Sequence, residues 1–234
     1  MSKACFITGT DTGVGKTIVT AALATALRKR GLRVGVMKPV ETGCFMEGDR
    51  LQAQDACFLR KASGCTAAPP LVTPYTFAEP LTPALAAERA GVTIDIKHIR
   101  RCYEKLLAEH DIVLVEGAGG LLAPLTECLT MHDMAVELGL PILVVARNVL
   151  GIINHTALTV TVARERSFVL GVVLNCTQPP DDLAMLTNAD ALRRWGKAPL
   201  LCQLAYTATL TPELLHAYGE QLVSMGLLAK IDAH

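Results

Sequence analysis

Residues 9–17 read Gly-Thr-Asp-Thr-Gly-Val-Gly-Lys-Thr, between an apolar run, Ala4-Cys5-Phe6-Ile7, and a helix-like segment from Ile18 to Arg30. A strand that feeds a glycine loop ending in Gly-Lys-Thr, then a helix, is the layout of a phosphate-binding P-loop. Small residues let backbone N–H groups curl around a polyphosphate. A helix starting near Lys16 adds roughly half a positive charge at its N-terminus. In this layout Lys16 reaches the outer phosphates and the Thr17 hydroxyl ligates Mg²⁺. Gly13, Val14, Gly15 and Ile18 are expected around the nucleotide. Gly9 and Gly15 enclose five residues where the common form has four, so the loop belongs to a variant class.

Such a loop needs a sheet behind it. Strands are predicted near 4–8, 33–37, 111–116, 141–146, 169–174 and 199–202, with helices near 17–30, 50–62, 95–109, 130–138, 154–166, 181–195 and 211–224. Runs such as Ile112-Val113-Leu114-Val115 suit strands buried on both faces. The composition agrees, since 51% hydrophobic residues with 4% aromatics make an aliphatic core. The alternation predicts an α/β fold with a mostly parallel β-sheet flanked by helices on both faces, and 234 residues suit a single domain, 1–234. The stretch Pro69 to Pro83 is too rich in proline for a helix or a central strand. It reads either as a functional loop or as a surface crossover.

Zero net charge gives no global field to attract nucleic acid or an anionic membrane. The eight cysteines form no CxxC pair and no zinc-like spacing, so reduced thiols in a cytoplasmic protein are expected. No apolar run is long enough to span a bilayer.

In open α/β sheets, ligands bind beyond the carboxyl ends of the strands. The second strand ends in Met37-Lys38-Pro39, where Lys38 either points at the phosphates or snorkels at the surface. The third ends in Val115-Glu116-Gly117-Ala118-Gly119-Gly120. An acid directly after a buried strand is the Walker-B arrangement for Mg²⁺, and glycines permit close backbone approach. Asp55 is a second candidate carboxylate, or simply a polar helix residue. After the fourth strand, Gly151 and Asn154 form a loop and N-cap whose amides could bind a carboxylate. Beside them, His155 reads as an ordinary helix residue. Asn175 ends the fifth strand, either as a turn residue or facing a purine edge.

In order, the long P-loop, Lys38-Pro39-Val40, Asp55, Pro74-Tyr75-Thr76-Phe77 with Pro80 and Pro83, Glu116 to Gly120, and Gly151 to His155 resemble the dethiobiotin synthetase family. The resemblance covers the chain from Gly9 to about Asn175 and implies the P-loop NTPase fold. It implies an ATP-dependent ring-closing ligase acting on 7,8-diaminopelargonic acid and CO₂, with ATP as co-substrate and Mg²⁺ as cofactor. Thr17, Asp55 and Glu116 would hold the metal, and Lys16 and Lys38 would be catalytic. Gly117, Ala118, Gly119 and Asn175 would line the nucleotide. Thr12, Lys38, Thr42 and Gly119 would meet the diamine, and Gly151, Ile152, Ile153 and Asn154 would bind its carboxylate across a homodimer interface. Two departures stand out. Gly13 replaces an acid of some relatives, and Cys202-Gln203-Leu204-Ala205-Tyr206 replaces a Gly-Glu-Ile-Pro-like stretch beside the base, so loose nucleotide selectivity is expected. A partner-regulating ParA/MinD-like switch is disfavoured because Asp11 stands at that family's signature lysine. A cobyrinic-acid amidating ligase would need a glutaminase domain for which these residues leave no room.

Overall fold

The computed structural model describes residues 3–48 and 50–233. Six strands form its central sheet: β1 (Lys3–Gly9), β2 (Val34–Met37), β7 (Ile112–Glu116), β8 (Ile142–Arg147), β9 (Val169–Asn175) and β10 (Leu200–Leu204). All pairs are parallel, in the order β10-β9-β8-β1-β7-β2. The strands that follow β1 fall first on one side of it and later on the other. That makes the end of β1 the switch point where such sheets open a crevice.

Both faces are covered. Cys5, Ile7, Ile112 and Leu114 pack under α1 (Lys16–Lys29), α2 (Gln54–Ser63), α9 (Pro212–Ser224) and α10 (Leu227–Asp232). Their strand neighbours Phe6, Val113 and Val115 pack under α5 (Ile96–Glu109), α6 (Met131–Glu137), α7 (Ile152–Arg164) and α8 (Leu183–Trp195). Helix α9 meets α1 very closely: a Cβ at Gly219 would lie 2.0 Å from the Ala22 carbonyl oxygen.

Three expectations change. Residues 50–52 are not helical. They form β5 (Arg50–Gln52), antiparallel to β4 (Phe45–Glu47), and α2 starts only at Gln54. The proline-rich stretch is not a plain loop. It contains α3 (Pro69–Val72), β6 (Tyr75–Phe77) and the start of α4 (Pro83–Arg89), with β6 paired parallel to β3 (Val40–Thr42) outside the main sheet. Prolines occupy the opening positions of α3 and α4, where the missing N–H has no helical partner to lose. Finally, α7 is capped by Gly151 and begins at Ile152, so Asn154 lies inside the helix rather than at its cap.

Candidate active site

The P-loop leaves β1 and opens α1 through Gly15, at φ 98°. A side chain there is opposed for a second reason: its Cβ would fall 2.1 Å from Asn175 Nδ2, so that amide would have to move. That amide donates to the Val14 carbonyl at 2.9 Å and so ties the loop to the end of β9. Its carbonyl end remains available to a ligand.

Strand register assembles the charges. Ile7 pairs with Glu116 and Met37 with Val115, so Lys38 and Glu116 emerge side by side next to the P-loop. The Lys38 N–H donates to the Val72 carbonyl at 2.8 Å, so the proline-led helix α3 fixes the lysine's backbone. Its Nζ donates to Glu116 Oε1 at 2.5 Å and to Asp55 Oδ2 at 2.7 Å. The Thr17 hydroxyl donates to Glu116 Oε1 at 2.8 Å. Burial works against the Lys38 charge, yet the Glu116 and Asp55 carboxylates outweigh it and hold its pKa above the ordinary lysine value. Lys16 differs. Burial, then repulsion from Lys38, pushes its pKa down to about 8, and its Nζ donates to the Asp11 carbonyl at 3.0 Å.

Glu41 carries a positioning role that its place in the sequence did not show. Helix α2 begins after Ala53, which has no capping side chain. The buried Glu41 carboxylate takes over, accepting from the N–H groups of Asp55 at 2.9 Å and Ala56 at 3.0 Å. Burial raises its pKa, and these two N–H groups oppose the shift. Asp55 is thereby held where its own carboxylate reaches Lys38.

Glu116 Oε2 is buried and lacks a hydrogen-bond partner among the described residues. With Thr17 Oγ1 and the Asp55 carboxylate nearby, it makes an all-oxygen donor set suited to a small hard cation. No group of three or more His, Cys, Asp or Glu side chains is placed to hold a metal ion by itself among the described residues. A cation here would therefore take further ligands from phosphate and water.

Three clefts run together along the loop. The middle one, 380 Å³, holds Lys16, Thr17, Lys38, Asp55 and Glu116. It shares Gly13, Gly15 and Ile18 with a 310 Å³ cleft walled by Asn175, Tyr206 and Tyr218. It shares Thr12, Thr42, Ala118 and Gly119 with an 830 Å³ cleft walled by Pro80, Leu81, Leu122 and Leu158. Two expected contacts do not reach these walls. Gly117 is buried against the Phe6 ring, with its N–H donating to the Ile7 carbonyl, and Val14 contributes its carbonyl to Asn175 instead. Residues 151–154 lie at the start of α7, which reaches the largest cleft only through Leu158, Thr159 and Val162.

A glycine loop at the switch point of a parallel sheet, with an acid on the next strand, defines the P-loop NTPase class. Solved chains of that architecture superpose over nearly the whole length: a ParA family ATPase of Chlorobium tepidum (TM-score 0.54, 15% identity, 98% of this chain and 92% of that one) and the septum site-determining protein MinD of Pyrococcus horikoshii (TM-score 0.54, 17% identity, 99% and 93%). At such identities they speak for the fold alone. A family model described as an AAA domain matches residues 3–214. The ATP-dependent dethiobiotin synthetase BioD of Anaeromyxobacter dehalogenans (strain 2CP-C) is 47% identical over 82% of this chain and 85% of its own. That of Thermodesulfovibrio yellowstonii is 37% identical over 91% and 92%, and that of Bacillus cereus (strain B4264) 39% over 87% and 83%. The chain belongs to the ATP-dependent dethiobiotin synthetase family.

Proposed function

We propose that this chain closes the ureido ring of dethiobiotin from 7,8-diaminopelargonic acid, CO₂ and ATP. The supporting observation is the continuous tract of three clefts, with both lysines in the middle one. Its nucleotide end takes the base between Asn175 and Tyr206, and its apolar end takes the aliphatic chain of the diamine. Carbamate and γ-phosphate meet between them. Two like charges 4 Å apart repel by about 4 kcal/mol at an effective dielectric near 20. Lys16, Lys38 and the N-terminus of α1 offset that repulsion. Lys16 holds the outer phosphates, and Lys38 steadies the carbamate and the phosphoryl group passing to it. The neighbouring amine then attacks the resulting carbamic–phosphoric anhydride, closes the ring and expels phosphate. Positioning and charge carry the step, and no protein nucleophile is needed.

Thr17, Asp55 and Glu116 are the proposed Mg²⁺ ligands, and Mg²⁺ would neutralise charge on the phosphates. Thr12, Thr42 and Gly119, at the junction of two clefts, contact the diamine. A second copy of the chain supplies Gly151 to Asn154 to the substrate carboxylate, so the working unit is a homodimer, a single domain per chain, in the cytoplasm. The test is direct. Purified protein with diaminopelargonate, bicarbonate and MgATP should yield dethiobiotin by mass spectrometry, and a folded protein giving none would reject the reading.

A further inference from the structure

A second constellation lies away from that tract. Cys65 follows Gly64 at the end of α2, and His110 follows the end of α5. Cys65 Sγ lies 3.6 Å from His110 Nε2, while His110 Nδ1 lies 2.7 Å from the Leu106 carbonyl oxygen. A carbonyl only accepts, so Nδ1 carries the ring proton and Nε2 turns its lone pair to the thiol. Gly35 on β2 makes room for the imidazole, since a Cβ there would sit 3.0 Å from the ring. Cysteine and histidine both line a 300 Å³ cleft with Arg28, Arg33, Ser63 and Glu109.

The charges facing the pair come from several elements. Arg33, before β2, is bound by Asp111, before β7. Glu109 ends α5 on the same cleft. Arg28 on α1 also faces the pair: its side chain lies over Gly64, where a Cβ would come within 3.0 Å of its Nε.

We propose that Cys65 is a nucleophilic thiol, primed by His110, that exchanges with small disulfides. His110 Nε2 takes the Sγ proton, and the thiolate attacks one sulfur of R–S–S–R. The Cys65 Sγ–S bond forms as the original S–S bond breaks, and RS⁻ leaves with the electron pair. Cys65 is oxidised to a mixed disulfide while the departing sulfur is reduced. Cys65 is itself only 7% exposed and meets a reagent through that cleft. Several other thiols are poor competitors. Burial pushes the pKa of Cys5 and Cys202 up to about 12 and that of Cys44 up to about 11. Cys128 is exposed and serves as an internal reference.

The folded full-length chain is treated with less than one equivalent of 2,2′-dithiodipyridine, quenched, and mapped by peptide mass spectrometry. Between about pH 8 and pH 6 the rate at Cys65 should fall at least roughly tenfold less than the rate at Cys128, and it should exceed that rate near pH 6. His110→Gln should slow Cys65 at least roughly tenfold and leave Cys128 unchanged. A Cys65 that stays unlabelled in the folded chain, or whose rate follows the slope of Cys128, overturns the proposal. Should His110→Gln fail to fold, the pH profile of the unsubstituted chain decides alone.

Discussion

Replacing Lys38 with methionine removes the cation between Glu116 and Asp55. Glu116 is 0% exposed and Lys38 only 5%. Without the lysine, Glu116 Oε1 keeps the Thr17 hydroxyl and Oε2 still has no partner. Breaking a buried pair by deleting one member costs about 3–5 kcal/mol, because the remaining charge is left uncompensated. The Asp55 arm adds little, since that carboxylate is 42% exposed and partly screened by solvent. For a domain of this size each kcal/mol lowers Tm by roughly 2–4 °C, so a drop of about 6–20 °C is expected. Neutral pH captures the whole effect. The folded-state pKa of Lys38 is raised, so its contribution is complete below the unfolded lysine value of about 10.4 and is lost only as pH rises through the folded value. Urea unfolding followed by circular dichroism measures it. The decisive comparison adds Glu116→Gln. Neutralising the stranded carboxylate should restore about 2 kcal/mol or more of the loss. Turnover should fall roughly 100-fold or more in the single variant and should not return in the double. A loss under about 1 kcal/mol for Lys38→Met, or a further loss on adding Glu116→Gln, would refute the reasoning.

Gly15→Ala should abolish nucleotide binding in a calorimetric titration, because the new Cβ meets Asn175 Nδ2 at 2.1 Å on a left-handed residue; binding within threefold of the parent would contradict this. Asp133 caps α6 reciprocally with Thr130. Burial raises its pKa, but hydrogen bonds from Thr130 and Arg166 win and hold it at about 2. Its stabilisation is therefore present above the unfolded value, about 3.9, and is lost as pH falls through about 2. Asp133→Asn should flatten the stability profile across that window and cost about 1 kcal/mol at neutral pH, and an unchanged acid slope would count against it. Tyr206 lines the cleft proposed for the base, and aromatic stacking accepts any base. Competition among nucleoside triphosphates should show weak discrimination, and a strong preference for ATP would exclude this account.

The main sheet was legible in the sequence because its strands are unbroken apolar runs buried on both faces, Ile112 to Val115 above all. The short strands β3 to β6 were not. Each spans three residues, too few to show a period, and β4 is exposed throughout. Prolines misled in a specific way: at the first turns of α3 and α4 they start helices rather than prevent them. Lys16, Thr17 and Glu116 could be read from local grammar, since strand, loop and helix are contiguous there. Asp55 could not, because its position depends on a cap from Glu41, fourteen residues earlier, and on Lys38, seventeen residues earlier. The meeting of Cys65 with His110, forty-five residues on, is likewise a product of packing and leaves no local trace.

Gly219 shows how far the phosphate loop's alignment extends beyond its own residues. It bears no functional group and lies on the last long helix, yet it lets that helix seat flush against the shaft whose tip carries Lys16 and Thr17. Even a methyl group there would act as a wedge and force one of the two helices to give way. A position mute in every chemical sense thus governs how tightly the helix that carries the loudest residues is seated.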